Sequence, residues 1–265
     1  MFRFAPTLVV TLLLAAFALS PSAASRPESA VERVFDAQGH LVAERGPVAG
    51  AAGLMFERHY FRQAEDPAKP PWAGGGSGSG GGNGGGDGGG GGLTDCTATN
   101  YRAGGWSWST PWSATASAFV AEFAAAGAAW QAETSAPIFA GVTFGNTATA
   151  GTYDGVNQID FANLGSGGTI AVTTTWYYRG SGEAVESDAQ YNTYYAWATD
   201  GSSGAMDVLN IATHETGHTF GLDHPKGQEG KIGCLTMYAY GAYGETDKRT
   251  LGDGDILGLR ALYGA

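Results

Sequence analysis

The chain has 265 residues, of which 43% are hydrophobic, only 15% are charged and 44 are glycine. That length holds one domain of ordinary size with appended segments, and the glycine excess marks part of it as unlike globular sequence. A formal charge of −11 and a pI near 4.7 exclude a phosphate-binding surface, since a nucleic-acid backbone is neutralised by clustered Lys and Arg that this chain lacks.

In chain order, Arg3, the apolar run 8–19 and the small residues Ser22 and Ala24 read as a secretory leader (1–24) cut after Ala24. An apolar helix of that length spans roughly 18 Å against a hydrocarbon core of about 30 Å, which disfavours stable membrane insertion. The expected location is extracellular, or periplasmic in a Gram-negative cell. Residues 25–73 contain Val34-Phe35-Asp36-Ala37-Gln38-Gly39-His40-Leu41-Val42, an alternating run about a turn signal that predicts a hairpin. So short a segment is little for an independent core; a removable propeptide, an interaction module and a spacer all fit it. Residues 74–92 are glycine broken only by Ser77, Ser79, Asn83 and Asp87, a flexible tether.

The remaining residues, 93–265, form the expected main domain. Residues 114–133 are rich in Ala, with Phe119, Phe123 and Trp130 on one helical face and Thr110-Pro111 upstream, and predict the first long helix. Strand-type runs at 138–144, 158–162, 169–178 and 183–191 predict a sheet of four or five strands. A second helix is expected over 205–220 and a third over 253–263, with Asp253 or Gly254 near its cap and Ile256, Leu259 and Leu262 facing inward. The expected class is α+β, with three helices on a twisted mixed sheet.

The segment from His214 to His224 reads His-Glu-Thr-Gly-His-Thr-Phe-Gly-Leu-Asp-His. His214 and His218 lie four apart, so their rings project from one helix face and can share one metal ion. Glu215 points about 100° away around the helix, outside the ligand set yet close enough to act as general base on a water. Gly221 can take positive φ, end the helix and turn His224 to the third ligand position. Three histidines leave one tetrahedral position of a zinc ion open, the mark of a catalytic site. Chance would produce these five identities in a chain of this length with odds of roughly one in ten thousand.

This pattern resembles the metzincin signature, and Cys234-Leu235-Thr236-Met237-Tyr238 resembles that clan's Met-turn, which would place Met237 beneath the three imidazoles. Over residues 101–265 the chain is most similar to the matrixins. The resemblance implies a metzincin-like fold with one catalytic zinc in the cleft, acting as a secreted monomeric endopeptidase on protein or peptide substrates. It also implies that an extended peptide pairs antiparallel with a sheet edge, expected near 185–191, and that Tyr238, Tyr240 and Tyr243 wall a side-chain pocket favouring cleavage before a hydrophobic residue. A catalytically silent zinc-stabilised binding module and a hydrolase of non-peptide amides are the rival readings.

Several residues depart from the matrixin pattern. Pro225 is more like the serralysins, but Ala239 stands where that group has a metal-binding tyrosine. His40 and His59 precede the tether, so a second histidine zinc site within the domain is not expected. Asp154, Asp160, Asp253 and Asp255 are available to calcium and serve equally as caps and turn residues. Cys96 and Cys234 are an even pair in an exported chain and are expected to form a disulfide. The alternative, a Cys96 thiolate blocking the metal as in the matrixin cysteine switch, lacks that family's usual Pro-Arg-Cys-Gly context.

Overall fold

The computed structural model describes residues 30–64, 105–145, 149–225 and 233–265. The expected leader, the glycine tract and Cys96 lie outside them. Before the tract come β1 (Glu32–Phe35), β2 (Leu41–Pro47) and β3 (Leu54–Gln63). The predicted hairpin is β1 with β2, its turn closed by Asp36 Oδ1, which accepts the Gln38 and His40 amides at 2.9 and 2.7 Å.

After the tract, β4 (Trp112–Ala116) leads into α1 (Val120–Gln131). The helix expected from 114 therefore starts later. Trp112, Ala114 and Ala116 are buried alternately, a period of two, and the strand pairs parallel with β5 (Phe139–Phe144) and β6 (Gln158–Ala162). Pairing on both sides outweighs the helix preference of alanine. Phe119, expected on the helical face, sits at the N-cap with φ 49°.

The next strands, β7 (Thr169–Tyr178) and β8 (Glu183–Asn192), are followed by the short parallel pair β9 (Trp197–Ala198) and β10 (Met206–Asp207). Then come α2 (Val208–Thr219), β11 (Tyr240–Gly241) and α3 (Asp253–Tyr263). The α2 helix begins later than predicted because the Asp207 carboxylate accepts the Asn210 amide at 3.0 Å and caps it. Nearly all of α2 is buried; Trp130 of α1 ties to it through a 2.8 Å bond to the Thr213 carbonyl.

The main sheet runs β1-β2-β3-β7-β8-β6-β4-β5, with β11 also on β3, nine strands in all. The five strands β4 to β8 make the sheet expected of the domain, and the segment before the glycine tract extends it. Nine register pairs, from Leu54↔Tyr178 to Arg62↔Thr169, join β3 antiparallel to β7. With Thr, Ile, Val and aromatic residues throughout, β7 suits a strand buried on both faces. The peptide-receiving edge expected near 185–191 is corrected here: those residues lie in β8, which is paired on one side with β7 and on the other with β6. Among the described residues no helix is long and apolar enough to cross a membrane.

Candidate metal centre

His214 and His218 project from α2, and His224 meets them from the loop beyond it. The three Nε2 atoms lie 3.0 to 3.2 Å from one another, and all three residues are buried. Their Nδ1 sides fix the tautomer: His214 Nδ1 donates to the Thr236 carbonyl at 2.6 Å and His218 Nδ1 to the Leu222 carbonyl at 2.7 Å. The facing Nε2 atoms of this pair are then lone-pair donors with no proton to share, an arrangement that repels unless a cation lies between them. Tetrahedral zinc with nitrogens at about 2.0–2.1 Å places them about 3.3 Å apart, so the donor set fits that ion. Burial holds His214 and His218 well below the ordinary imidazole range and His224 down to about 3, which keeps the rings neutral as ligands require.

Two glycines make the arrangement possible. Gly221 has φ 98°, its amide bonds to the His218 carbonyl, and the Leu222 amide bonds back to Gly217, closing α2 and turning the chain toward His224. Gly217 lies between the first two histidines, where a Cβ would fall 2.2 Å from Met237 Sδ and 2.7 Å from Trp130 Cζ2. Met237 thus packs directly against the backbone of α2. In Gly217→Ala we expect a loss of about 1–3 kcal/mol from overpacking, with weaker zinc retention, read by thermal melts with and without a chelator.

The turn carrying Met237 is held by Asp255, which is buried in the first turn of α3. Its carboxylate accepts the amides of Thr236 at 2.7 Å, Met237 at 3.2 Å and Gly252 at 2.9 Å. Because Thr236 in turn receives the His214 Nδ1 proton, Asp255 orients a metal ligand through one intervening residue. This residue, considered above as a cap or calcium donor, acts as a cap that also reaches the turn.

Glu215 is buried, and its Oε2 accepts a 2.5 Å hydrogen bond from Thr173 of β7. Its Oε1 has no hydrogen-bond partner among the described residues. Burial pushes the Glu215 acid up to about 8, only partly offset by the Thr173 bond.

Two residues absent from the sequence reading of the site come from β3. The His59 ring stacks on His218 with centroids 4.1 Å apart and planes 2° apart, and Phe61 lies 4.1 Å from the His214 ring. His59, placed outside the domain by the tether, is therefore at its centre. His59 Nε2 sits 3.3 Å from Glu57 Oε1 and 3.4 Å from Asp223 Oδ1. Although burial alone would lower it, these carboxylates hold His59 up at about 10.

The calcium donors divide. Asp160, within β6, accepts from Ser117 Oγ and its neighbour's amide, and Asp154 accepts the Val156 amide in a turn. Beside them on β8, Glu186 accepts the amides of Asp154 and Gly155, and Asp188 those of Gly151 and Gln158. Burial lifts Asp188 from 3.8 to about 7. The folded chain then binds this proton more tightly than the unfolded chain, so its contribution to stability falls as pH rises from about 4 through 7. We expect the urea midpoint to drop between pH 5 and pH 8, and Asp188→Asn, neutral throughout, to show a smaller drop.

Such a site, three neutral imidazoles on a helix and its following loop above a buried methionine turn, defines the zinc metallopeptidase class with the extended histidine motif. The family model described as Matrixin matches residues 109–264, and the chain belongs to the matrixin family; its three buried histidines are the zinc site of a matrixin domain. It is similar to human matrilysin (Homo sapiens), 34% identical over 83 residues that cover 31% of this chain and 29% of that protein. Matrilysin of Felis catus is 34% identical over 102 residues, 38% of this chain and 34% of that protein. Human neutrophil collagenase is 32% identical over 83 residues, 31% of this chain and 16% of that protein. The chain spans about a third or less of the length of these relatives.

Proposed function

We propose that the chain is a secreted zinc-dependent endopeptidase in which His214, His218 and His224 hold the metal and Glu215 is the general base. The observation that carries this reading is the convergence of three neutral Nε2 atoms within 3.2 Å beside a buried carboxylate with one unpartnered oxygen. Bound zinc supplies a Lewis acid that polarises a peptide carbonyl and makes water more acidic. Glu215 does the proton work: Thr173 fixes Oε2, leaving Oε1 to take the proton of the attacking water and pass it to the departing amine. Gly221 and Met237 serve as structural supports, one delivering His224 and the other backing α2. A Cys96–Cys234 disulfide, in keeping with export, would tie the start of the domain to the methionine turn.

The test is casein hydrolysis by the chain nicked within residues 74–92 and separated from the piece bearing β3, whose His59 and Phe61 lie on two of the ligand rings. Hydrolysis that stops with a chelator and returns with added zinc is expected; casein left intact with zinc bound would remove the reading.

A further inference from the structure

We propose that Glu57, His59 and Asp223 form a second metal site, which takes a divalent ion of the zinc type and pins β3 to the loop carrying His224. The site is independent of the endopeptidase reading, since none of its donors belongs to the three-imidazole centre.

The donors come from two parts of the chain. Glu57 and His59 are two apart on β3, so alternation turns both side chains to one face of the strand. Asp223 stands in the loop after α2, one residue before the ligand His224. One atom from each residue, the His59 Nε2 and two carboxylate oxygens, lies within 4.8 Å of the others. The nitrogen is 3.3 Å from Glu57 Oε1 and 3.4 Å from Asp223 Oδ1. Tetrahedral zinc with one nitrogen and two oxygens at about 2.0–2.2 Å sets such atoms about 3.3–3.5 Å apart.

Hydrogen bonding does not account for the cluster. His59 is 1% exposed and Glu57 3%, yet His59 Nε2 and Glu57 Oε2 have no hydrogen-bond partner among the described residues. The two nearby carboxylate oxygens approach the nitrogen without the alignment that a shared proton requires. Arg45, opposite Glu57 on β2, has its Nε on Glu32 at 3.1 Å. Within the cluster a proton on His59 leaves one negative charge over, whereas a divalent ion beside a neutral ring balances both carboxylates. Buried polar atoms without a partner are costly, and a cation shared by all three residues removes that cost.

The donor set selects the ion. An imidazole nitrogen among carboxylates favours zinc over calcium or magnesium, which take oxygen ligands. Asp223 Oδ1 also accepts the His224 amide at 2.7 Å, which orients the carboxylate and keeps a lone pair for a metal. The Asp223 side chain is 18% exposed, which gives the ion a path in. With two oxygens among three donors and an opening to solvent, this is the weaker of the two sites. It fills from added zinc and empties on dialysis, while the three imidazoles keep theirs.

The test titrates the full uncut chain, after dialysis, with zinc chloride by calorimetry, while hydrogen exchange follows residues 54–63. A second ion per chain should bind, and exchange over 54–63 should slow as it does. Glu57→Gln and Asp223→Asn keep side-chain volume, and the latter keeps the acceptor for the His224 amide; melts without added zinc check that each folds. Both should hold the first ion and bind the second about tenfold or more weakly, since loss of even an outer-shell partner costs about 10–100-fold. A crystal grown with zinc should show anomalous density between the three residues. Absence of a second ion, with exchange over 54–63 unmoved by zinc, overturns the site and leaves His59 as an imidazolium between the carboxylates. A second ion that binds both variants as tightly as the parent lies elsewhere, as at His40 and Asp36, and overturns it equally.

Discussion

In Glu215→Ala, assayed after separation from β3, zinc content stays at one ion per chain while casein hydrolysis falls on the order of 10²–10⁴-fold. Metal is retained because Glu215 is not among the three converging donors; its carboxylate is turned toward Thr173 of β7. Activity falls because no other described carboxylate bonds to Thr173 or presents an oxygen from the face of α2 between the ligands. Stability should not fall with it, since the substitution removes a buried acid with one oxygen unsatisfied, a costly group to fold around. Glu215→Gln separates chemistry from packing: it keeps the volume and can still accept from Thr173, but it cannot take a proton. Both variants should lose activity together, as measured by steady-state hydrolysis alongside metal analysis and thermal melts. A Glu215→Gln chain as active as the parent would sink the general-base role.

Local chemistry was legible in the sequence and long-range pairing was not. His214 and His218 declare themselves because a helix turn fixes their spacing, and Gly221 because a positive φ is needed where it stands. The runs that became β5, β6 and β7 carry β-branched and aromatic residues bounded by turn residues, so their positions emerged closely. Ala114 and Ala116 misled, because alanine favours helix locally and only the parallel neighbours β5 and β6 make these residues a strand. The strand over 54–63 was missed for another reason. Its inward face is Met55, Glu57, His59 and Phe61, and two ionisable residues in the middle hide the apolar alternation. Those residues are tolerable inside only because Asp223, Glu57 and His59 meet there, a contact across the glycine tract that no window of sequence displays. Asp255 was visible as a helix cap, but its grip on Thr236 and Met237 is tertiary.

The second large effect is expected at His218, where one substitution removes more than one ligand's share of the site. His218→Ala deletes an Nε2 that lies 3.0 Å from that of His214 and 3.1 Å from that of His224. It also deletes the Nδ1 bond to the Leu222 carbonyl, the link that pins the Gly221 turn and with it the loop bearing His224. Loss of an outer-shell partner alone weakens metal binding by about 10–100-fold; losing a ligand and a loop anchor together should exceed that, leaving no zinc after dialysis and no hydrolysis. Because His59 stacks on the lost ring, the contact between β3 and the domain should loosen too, visible as faster amide exchange over 54–63. Asp223→Ala provides the contrast. It frees His59 from one carboxylate and keeps all three ligand rings, removing only the 2.7 Å bond from the His224 amide to Asp223 Oδ1, so zinc should be held more tightly than in His218→Ala while exchange over 54–63 still quickens. Zinc retained at full occupancy in His218→Ala would mean that the three rings do not share one ion, and the metal centre would have to be sought elsewhere.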